Sequence, residues 1–226
     1  MIKDTRVVKD AVYLIDDKTM SSRGYAQSGW DYDNRGMRRA RGEEIRGTYL
    51  CSDETGDFDP YLSRRFVPIR TGKAGFFHSF RLRYGEAFYL RFLSDDKKES
   101  VALEISAKDG LFCVGGTKIP VAVENKTYYL GIEFDLDRKI AAVFFDDVNY
   151  GTFKLTAKSL SRLIIGVLAG VQTCFIPLTT RLWINYLICD RAYVSAPGSM
   201  SDAWRLTAKG TALADRRPYT EGQNLT

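Results

Sequence analysis

The feature that most constrains this chain is a series of short segments whose apolar residues all fall on one face. Phe80, Leu82 and Tyr84 alternate with Ser79, Arg81 and Arg83. Phe88, Leu90 and Phe92 alternate with Tyr89 and Arg91, and Val101, Leu103 and Ile105 with Ala102 and Glu104. Tyr128, Leu130, Ile132, Phe134 and Leu136 alternate with Tyr129, Gly131, Glu133 and Asp135. A period of two belongs to a strand and fits no helix. Separated by polar turns, the segments predict an antiparallel sheet with one core face and one wet face. Arg, Tyr and Glu populate the wet face, so any function of such a sheet is built from them.

The rest of the chain extends the pattern. Strands are expected at 6–15, 45–51 and 62–69, then at 111–114, 119–123, 140–145 and 150–155. Residues 159–168 fit a strand or a short helix, and Ile164, Ile165 and Val167 favour strand. Residues 175–178 and 180–194 complete the set. Lys108-Asp109-Gly110 and Gly115-Gly116 are hairpin turn signals. Residues 16–44 are polar and rich in Gly, Ser, Asp and Arg, which predicts a long functional or loosely held loop. The class is therefore all-β, an antiparallel two-sheet β-sandwich (jelly roll). One domain is expected over 1–195, followed by an irregular C-terminal tail over 196–226 that docks through Trp204.

Composition narrows the function classes. The chain has 226 residues, 45% of them hydrophobic, enough for one large all-β domain or two small ones. Its net charge of +5 fits an anionic partner and equally an ordinary solvated surface. No apolar run reaches the roughly 18 residues of a membrane span. The N-terminal Met-Ile-Lys-Asp is charged and lacks an apolar signal core. An intracellular protein is one expectation; a mature or excised piece of a secreted or cell-envelope protein is the other. There is no phosphate loop, dinucleotide fingerprint, G-x-S-x-G or zinc signature, and no nucleic-acid fold signature. The single histidine, His78, shares parity with Phe76, Phe80 and Leu82, which predicts a core position. The cysteines are Cys51, Cys113, Cys174 and Cys189. Their scatter predicts buried thiols, with a Cys174–Cys189 bridge if those two segments pair.

A family resemblance enters at the hairpin Tyr128-Tyr129-Leu130-Gly131-Ile132-Glu133-Phe134-Asp135-Leu136-Asp137 followed by Ile140-Ala141-Ala142-Val143-Phe144-Phe145-Asp146-Asp147. It resembles the "W/Y-x-L-x-I-x-x-D, turn, x-x-V-x-x-D-G" hairpin of concanavalin A-like lectin/glucanase domains, including laminin-G-like modules. Val148 replaces the final glycine. The segments 75–83 and 181–188 are similar to sheet strands of the same domains, so the likeness covers roughly residues 5–195. The resemblance implies a two-sheet jelly roll. It also implies one of four roles: lectin, carbohydrate-binding module, glycoside hydrolase or polysaccharide lyase.

Four groups of residues carry candidate chemistry. Glu133-Phe134-Asp135-Leu136-Asp137 is similar to the E-x-D-x-x-E or E-x-D-x-E of laminarinase-like hydrolases, in which the outer carboxylates form a retaining pair. Glu133 would match the nucleophile and Asp135 the assistant. The third position is a shorter Asp, followed by Arg138-Lys139, as in an Asp-led turn. Arg81, Arg83, Tyr89, Arg91, Glu104, Tyr129 and Glu133 share the polar parity of their strands and could form a glycan or anion platform. An ordinary charged sheet face with Arg–Glu pairs is the plain reading. Trp30 and Tyr32, beside Met37-Arg38-Arg39-Ala40-Arg41, place aromatics among charges in the long loop. Asp53, Asp57 and Asp59, with Glu54, supply hard oxygens for a structural calcium ion, in a spacing unlike that of an EF-hand.

The sequence thus predicts a non-catalytic carbohydrate-binding or accessory module, with an acidic polysaccharide as ligand. A glycan-active hydrolase or lyase using Glu133 and Asp135 is the alternative. A structural or protein-interaction domain is the third reading.

Overall fold

The computed structural model describes residues 11–15, 30–32, 37–40, 47–52, 59–83, 85–146 and 148–184. Their strands in chain order are β1 (Ala11–Ile15), β2 (Trp30–Tyr32), β3 (Met37–Ala40), β4 (Gly47–Ser52), β5 (Tyr61–Ile69), β6 (Lys73–Arg83), β7 (Phe88–Leu93) and β8 (Val101–Lys108). They continue as β9 (Leu111–Val114), β10 (Thr117–Ala122), β11 (Thr127–Asp135), β12 (Ile140–Phe145), β13 (Val148–Lys154), β14 (Leu160–Val167) and β15 (Thr173–Ile184). Among the described residues there is no helix, and none long and apolar enough to cross a membrane. The fold is an all-β sandwich. The proposed tail, with Trp204, and Cys189 lie outside the described residues.

Two antiparallel sheets face each other. The first runs β13-β12-β11-β6-β15-β4-β3, with β1 also paired to β15. The second runs β10-β9-β8-β7-β14-β5-β2. The alternating apolar residues of both fill the space between them, and the contacts are mainly aromatic. Phe76 of the first sheet meets Phe92 of the second edge-on at 4.7 Å between ring centroids, and Phe92 meets Phe134 at 4.9 Å. Phe112 of the second sheet meets Phe145 of the first at 4.6 Å. Offset and edge-to-face pairs of this kind each add about 0.5–1.5 kcal/mol beyond their burial. His78 sits in the same layer, fully buried, stacked on Phe80 and Phe175, with Nδ1 2.7 Å from Thr180 Oγ1. It is the core histidine that its parity predicts.

Three expectations are corrected. The four alternating segments do not share one sheet: β6 pairs β11 in the first sheet, and β7 pairs β8 in the second. Alternation reports which side of a strand is buried but not against which neighbour. The wet face of β6 is not wet over its length, because outward Phe77 and Ser79 are 1% and 4% exposed. β6 is a central strand, flanked by β11 and β15, and its outward residues are covered as well. Residues 16–44 are not all loop: Trp30–Tyr32 pairs with β5, and Met37–Ala40 pairs with β4. Among the described residues both are edge strands. Such a strand is held by a backbone ladder on one side, which leaves no apolar period in its sequence.

Candidate functional site

The proposed polar platform is divided by the fold. Arg81 and Arg83 of β6 and Tyr129 and Glu133 of β11 lie on the outer side of the first sheet. Tyr89 and Arg91 of β7 and Glu104 of β8 lie on the outer side of the second, across the core. The sandwich brings these residues together as two groups and not as one.

On the second sheet the charges satisfy each other. Arg91 Nε donates to Glu104 Oε2 at 2.5 Å, across a directly opposed pair of β7 and β8. Arg65 and Arg162 both hold Glu99, at 2.5 and 2.9 Å, and Arg162 Nε also donates to the buried Ser63 hydroxyl. Burial pushes the Glu99 carboxyl up, but the two guanidinium groups outweigh it and hold it below the usual range. Tyr89 is only 7% exposed, with the Arg91 guanidinium 4.1 Å from its ring centroid. Burial first, then the charge of Asp59, raises its phenol above the ordinary value. A sugar would have to displace Arg91 to stack on this ring.

On the first sheet the E-x-D-x-D motif divides at the end of its strand. Glu133 is half-buried between Gly75 of β6 and Ala142 of β12. Asp135 closes β11 and accepts the Arg138 amide at 2.9 Å. Asp137 has left the strand and accepts the Gly72 amide at 3.1 Å. Two of the three carboxylates therefore cap turns, so the motif does not set a row of acids on one face. Tyr129 lies beside Phe77, with ring centroids 6.3 Å apart.

The remaining predicted residues have definite places. Trp30 and Tyr32 sit opposite Arg64 and Leu62 in the β2–β5 ladder, so they belong to a sheet edge. Asp59 is exposed, and its Oδ1 accepts the Ala169 amide at 2.8 Å, tying the start of β5 to the loop after β14. Asp53 and Asp57 lie outside the described residues. Among the described residues no group of three His, Cys, Asp or Glu side chains could hold a metal ion.

The site that sequence reading missed is an open pocket of about 510 Å³ at one end of the sandwich. Leu82, Gly85, Glu86, Gly110, Val123, Glu124 and Asn125 line it. Leu82 lies near the end of β6, and the others come from three connections, β6–β7, β8–β9 and β10–β11, which share no apolar period and so gave no common signal. Each connection is pinned. Glu86 Oε2 accepts the Gly110 amide at 2.6 Å, and Gly110 O accepts the Val123 amide at 2.9 Å. The buried Tyr128 hydroxyl accepts the Glu124 amide at 2.5 Å and donates to Ala122 O at 2.9 Å. Lys126 pairs with Glu124 at 3.2 Å, and its carbonyl accepts the Leu82 amide at 3.2 Å. Gly85 has φ +62°, and a Cβ there would fall 2.2 Å from Gln172 O, so only glycine passes this point. The volume lies within the roughly 300–1,000 Å³ of small-molecule sites. Two carboxylates and an amide share this lining with the apolar Leu82 and Val123, so acceptors for hydroxyl hydrogens stand beside C–H surface.

No family model matches the chain, and no curated protein matches it. Solved structures do. The chain is similar to a sialidase at a TM-score of 0.59 and 11% identity, over 87% of this chain and 22% of that one. It therefore spans less than a quarter of the length of that protein. It is similar to the metal-free Emp46p carbohydrate recognition domain at a TM-score of 0.52 and 11% identity, over 80% of this chain and 97% of that one. The carbohydrate-binding module CBM66 from Bacillus subtilis follows at 0.47 and 16% identity, over 69% and 96% of the two chains. What the chain shares with the sialidase and Emp46p structures is the fold, an antiparallel two-sheet β-sandwich.

Proposed function

We propose that this chain is a non-catalytic carbohydrate-binding module whose ligand occupies the pocket at the end of the sandwich. The observation that carries the proposal is that Glu86, Glu124 and Asn125, on pinned connections, line one pocket with Leu82 and Val123. Carbohydrates present hydroxyl donors around an apolar ring face, and a pre-formed site binds them without first ordering its own loops. The named role of the Emp46p domain supports the reading. The turn-capping roles of Asp135 and Asp137 favour binding over hydrolysis.

An acidic polysaccharide is the second ligand reading, resting on Arg81 and Arg83 of the first sheet and Arg91 of the second. On the second sheet such a ligand would have to displace Glu104 or Glu99 from the arginines they hold. The calcium expectation at Asp53, Asp57 and Asp59 enters as its own arm of the experiment.

The test is calorimetric titration with neutral and acidic oligosaccharides, with products checked by mass spectrometry. Neutral oligosaccharides should bind without cleavage. Glu124→Ala and Asn125→Ala, both at exposed positions, should each weaken binding about tenfold, the loss of one good hydrogen bond. Arg91→Ala should leave it unchanged. Acidic ligands lost with Arg91→Ala would move the site to the outer face. Released products that vanish in Glu133→Gln would establish the hydrolase instead. Binding lost in chelator and restored by calcium would assign the ion a role. No binding by any glycan would overturn the module and leave an interaction domain.

A further inference from the structure

We infer that Cys51 and Cys174 form a redox-active pair, closing to a cross-strand disulfide under oxidising conditions. The two residues are direct partners in the antiparallel ladder of β4 and β15, flanked by the pairs Thr173–Ser52 and Phe175–Leu50. Directly opposed residues of an antiparallel ladder share a face and have Cα atoms about 4.5 or 5.5 Å apart. Both separations fall inside the roughly 4.4–6.8 Å window in which a disulfide closes. Leu50 and Phe175, the neighbouring pair, are core residues, so alternation along β15 places Cys174 on the outer face of the first sheet. Cys174 is a buried thiol, 7% exposed. Its register partner on the other side is Arg83 of β6.

The fold separates this pair from Cys113. That residue is a free, buried thiol on β9 of the other sheet, between the core residues Phe112 and Val114, and so faces the opposite outer surface. Closure proceeds by exchange with a small-molecule disulfide such as oxidised glutathione. One cysteine thiolate attacks a sulfur of the reagent and expels one equivalent of its thiol. The second cysteine, losing its proton to solvent, attacks the mixed disulfide and expels the other equivalent. Two protein thiols are oxidised and one reagent disulfide is reduced to two thiols. The closed bond would fasten β4, and through it the edge strand β3, to the long strand β15. It would also enclose every strand from β5 to β14, so it constrains the unfolded chain strongly.

The experiment uses the full native chain, equilibrated in mixtures of reduced and oxidised glutathione, alkylated and digested with trypsin without reduction. Every cysteine falls in a different tryptic peptide: 47–64 for Cys51, 109–118 for Cys113, 163–181 for Cys174 and 182–191 for Cys189. Peptides 47–64 and 163–181 should appear joined, about 2 Da below the sum of their masses. The oxidised protein should melt at a higher temperature than the reduced one, and the difference should vanish in Cys51→Ser but persist in Cys113→Ser. Peptide 163–181 joined to 182–191 would overturn the assignment. So would thiols that stay alkylatable throughout, or a 47–64/163–181 link that forms only after denaturation.

Discussion

The ring of Tyr89 lies directly on Gly166, its opposite number in the β7–β14 ladder. A Cβ at position 166 would fall 2.3 Å from the tyrosine Cζ and 2.4 Å from its oxygen. The backbone of β14 thus forms the inner wall of the tyrosine's place, and Arg91 approaches the same ring.

Gly166→Ala should therefore destabilise the fold by about 1–3 kcal/mol, the range for overpacking a filled site. In a Tyr89→Ala background the same change should be near neutral, because the ring it collides with is gone. Urea denaturation of the four proteins of this cycle checks the coupling. Additive effects would show that the ring swings aside at no cost.

The Thr180 hydroxyl stands 2.7 Å from His78 Nδ1 inside the aromatic layer. Thr180→Val keeps the shape but removes that partner from a fully buried imidazole. The expected loss is about 1–3 kcal/mol, read from the shift in denaturation midpoint. Glycan binding should be unchanged, because His78 lies in the core and not in the pocket.

Tyr128 holds the β10–β11 connection from below through the Glu124 amide and Ala122 O. Tyr128→Phe keeps the ring and strands both backbone groups. Stability should fall by about 1–2 kcal/mol. Affinity for a pocket ligand should fall as well, because Glu124 and Asn125 are no longer held. Calorimetry on the variant, run well below its melting temperature, separates the two effects.

Asp96 caps the turn after β7, accepting the Ser100 amide at 2.9 Å and the Lys98 amide at 3.1 Å. These bonds, that of Ser100 first, lower its carboxyl from 3.8 to about 2. A carboxyl lowered by folding contributes stability above its unfolded value, and that contribution is lost as pH falls toward the folded value. The wild type should therefore exceed Asp96→Asn in stability at neutral pH, and the gap should close between about pH 4 and pH 2. Melting temperatures across that range measure it. A gap constant with pH would place the effect in packing.

The alternating runs around Phe80, Phe92 and Phe134 marked strands and core faces correctly, and His78 was placed in the core by parity alone. The run around Leu103 holds except at its start, where a register shift against β7 leaves Val101 exposed and Ala102 buried. The hairpin Tyr128 to Asp147 carried the resemblance whose two-sheet β-sandwich the solved structures share. Local sequence could do this because side-chain alternation is a property of one strand and its burial. It could not choose the partner strand. β6 and β7 are consecutive and similarly patterned, yet they belong to opposite sheets. Residues of equal polar parity, such as Arg81 and Arg91, consequently finished on opposite sides of the core.

By itself, then, the sequence determined the class, the strands and their inward residues, because period-two burial is written locally. Only the tertiary structure decided which polar residues are neighbours. The pocket of Glu86, Gly110, Glu124 and Asn125 joins connections far apart in the chain, and the Cys51–Cys174 pairing depends on the register of β4 against β15. Both are set by long-range strand order, which is fixed by packing two sheets at once and leaves no period in any single segment.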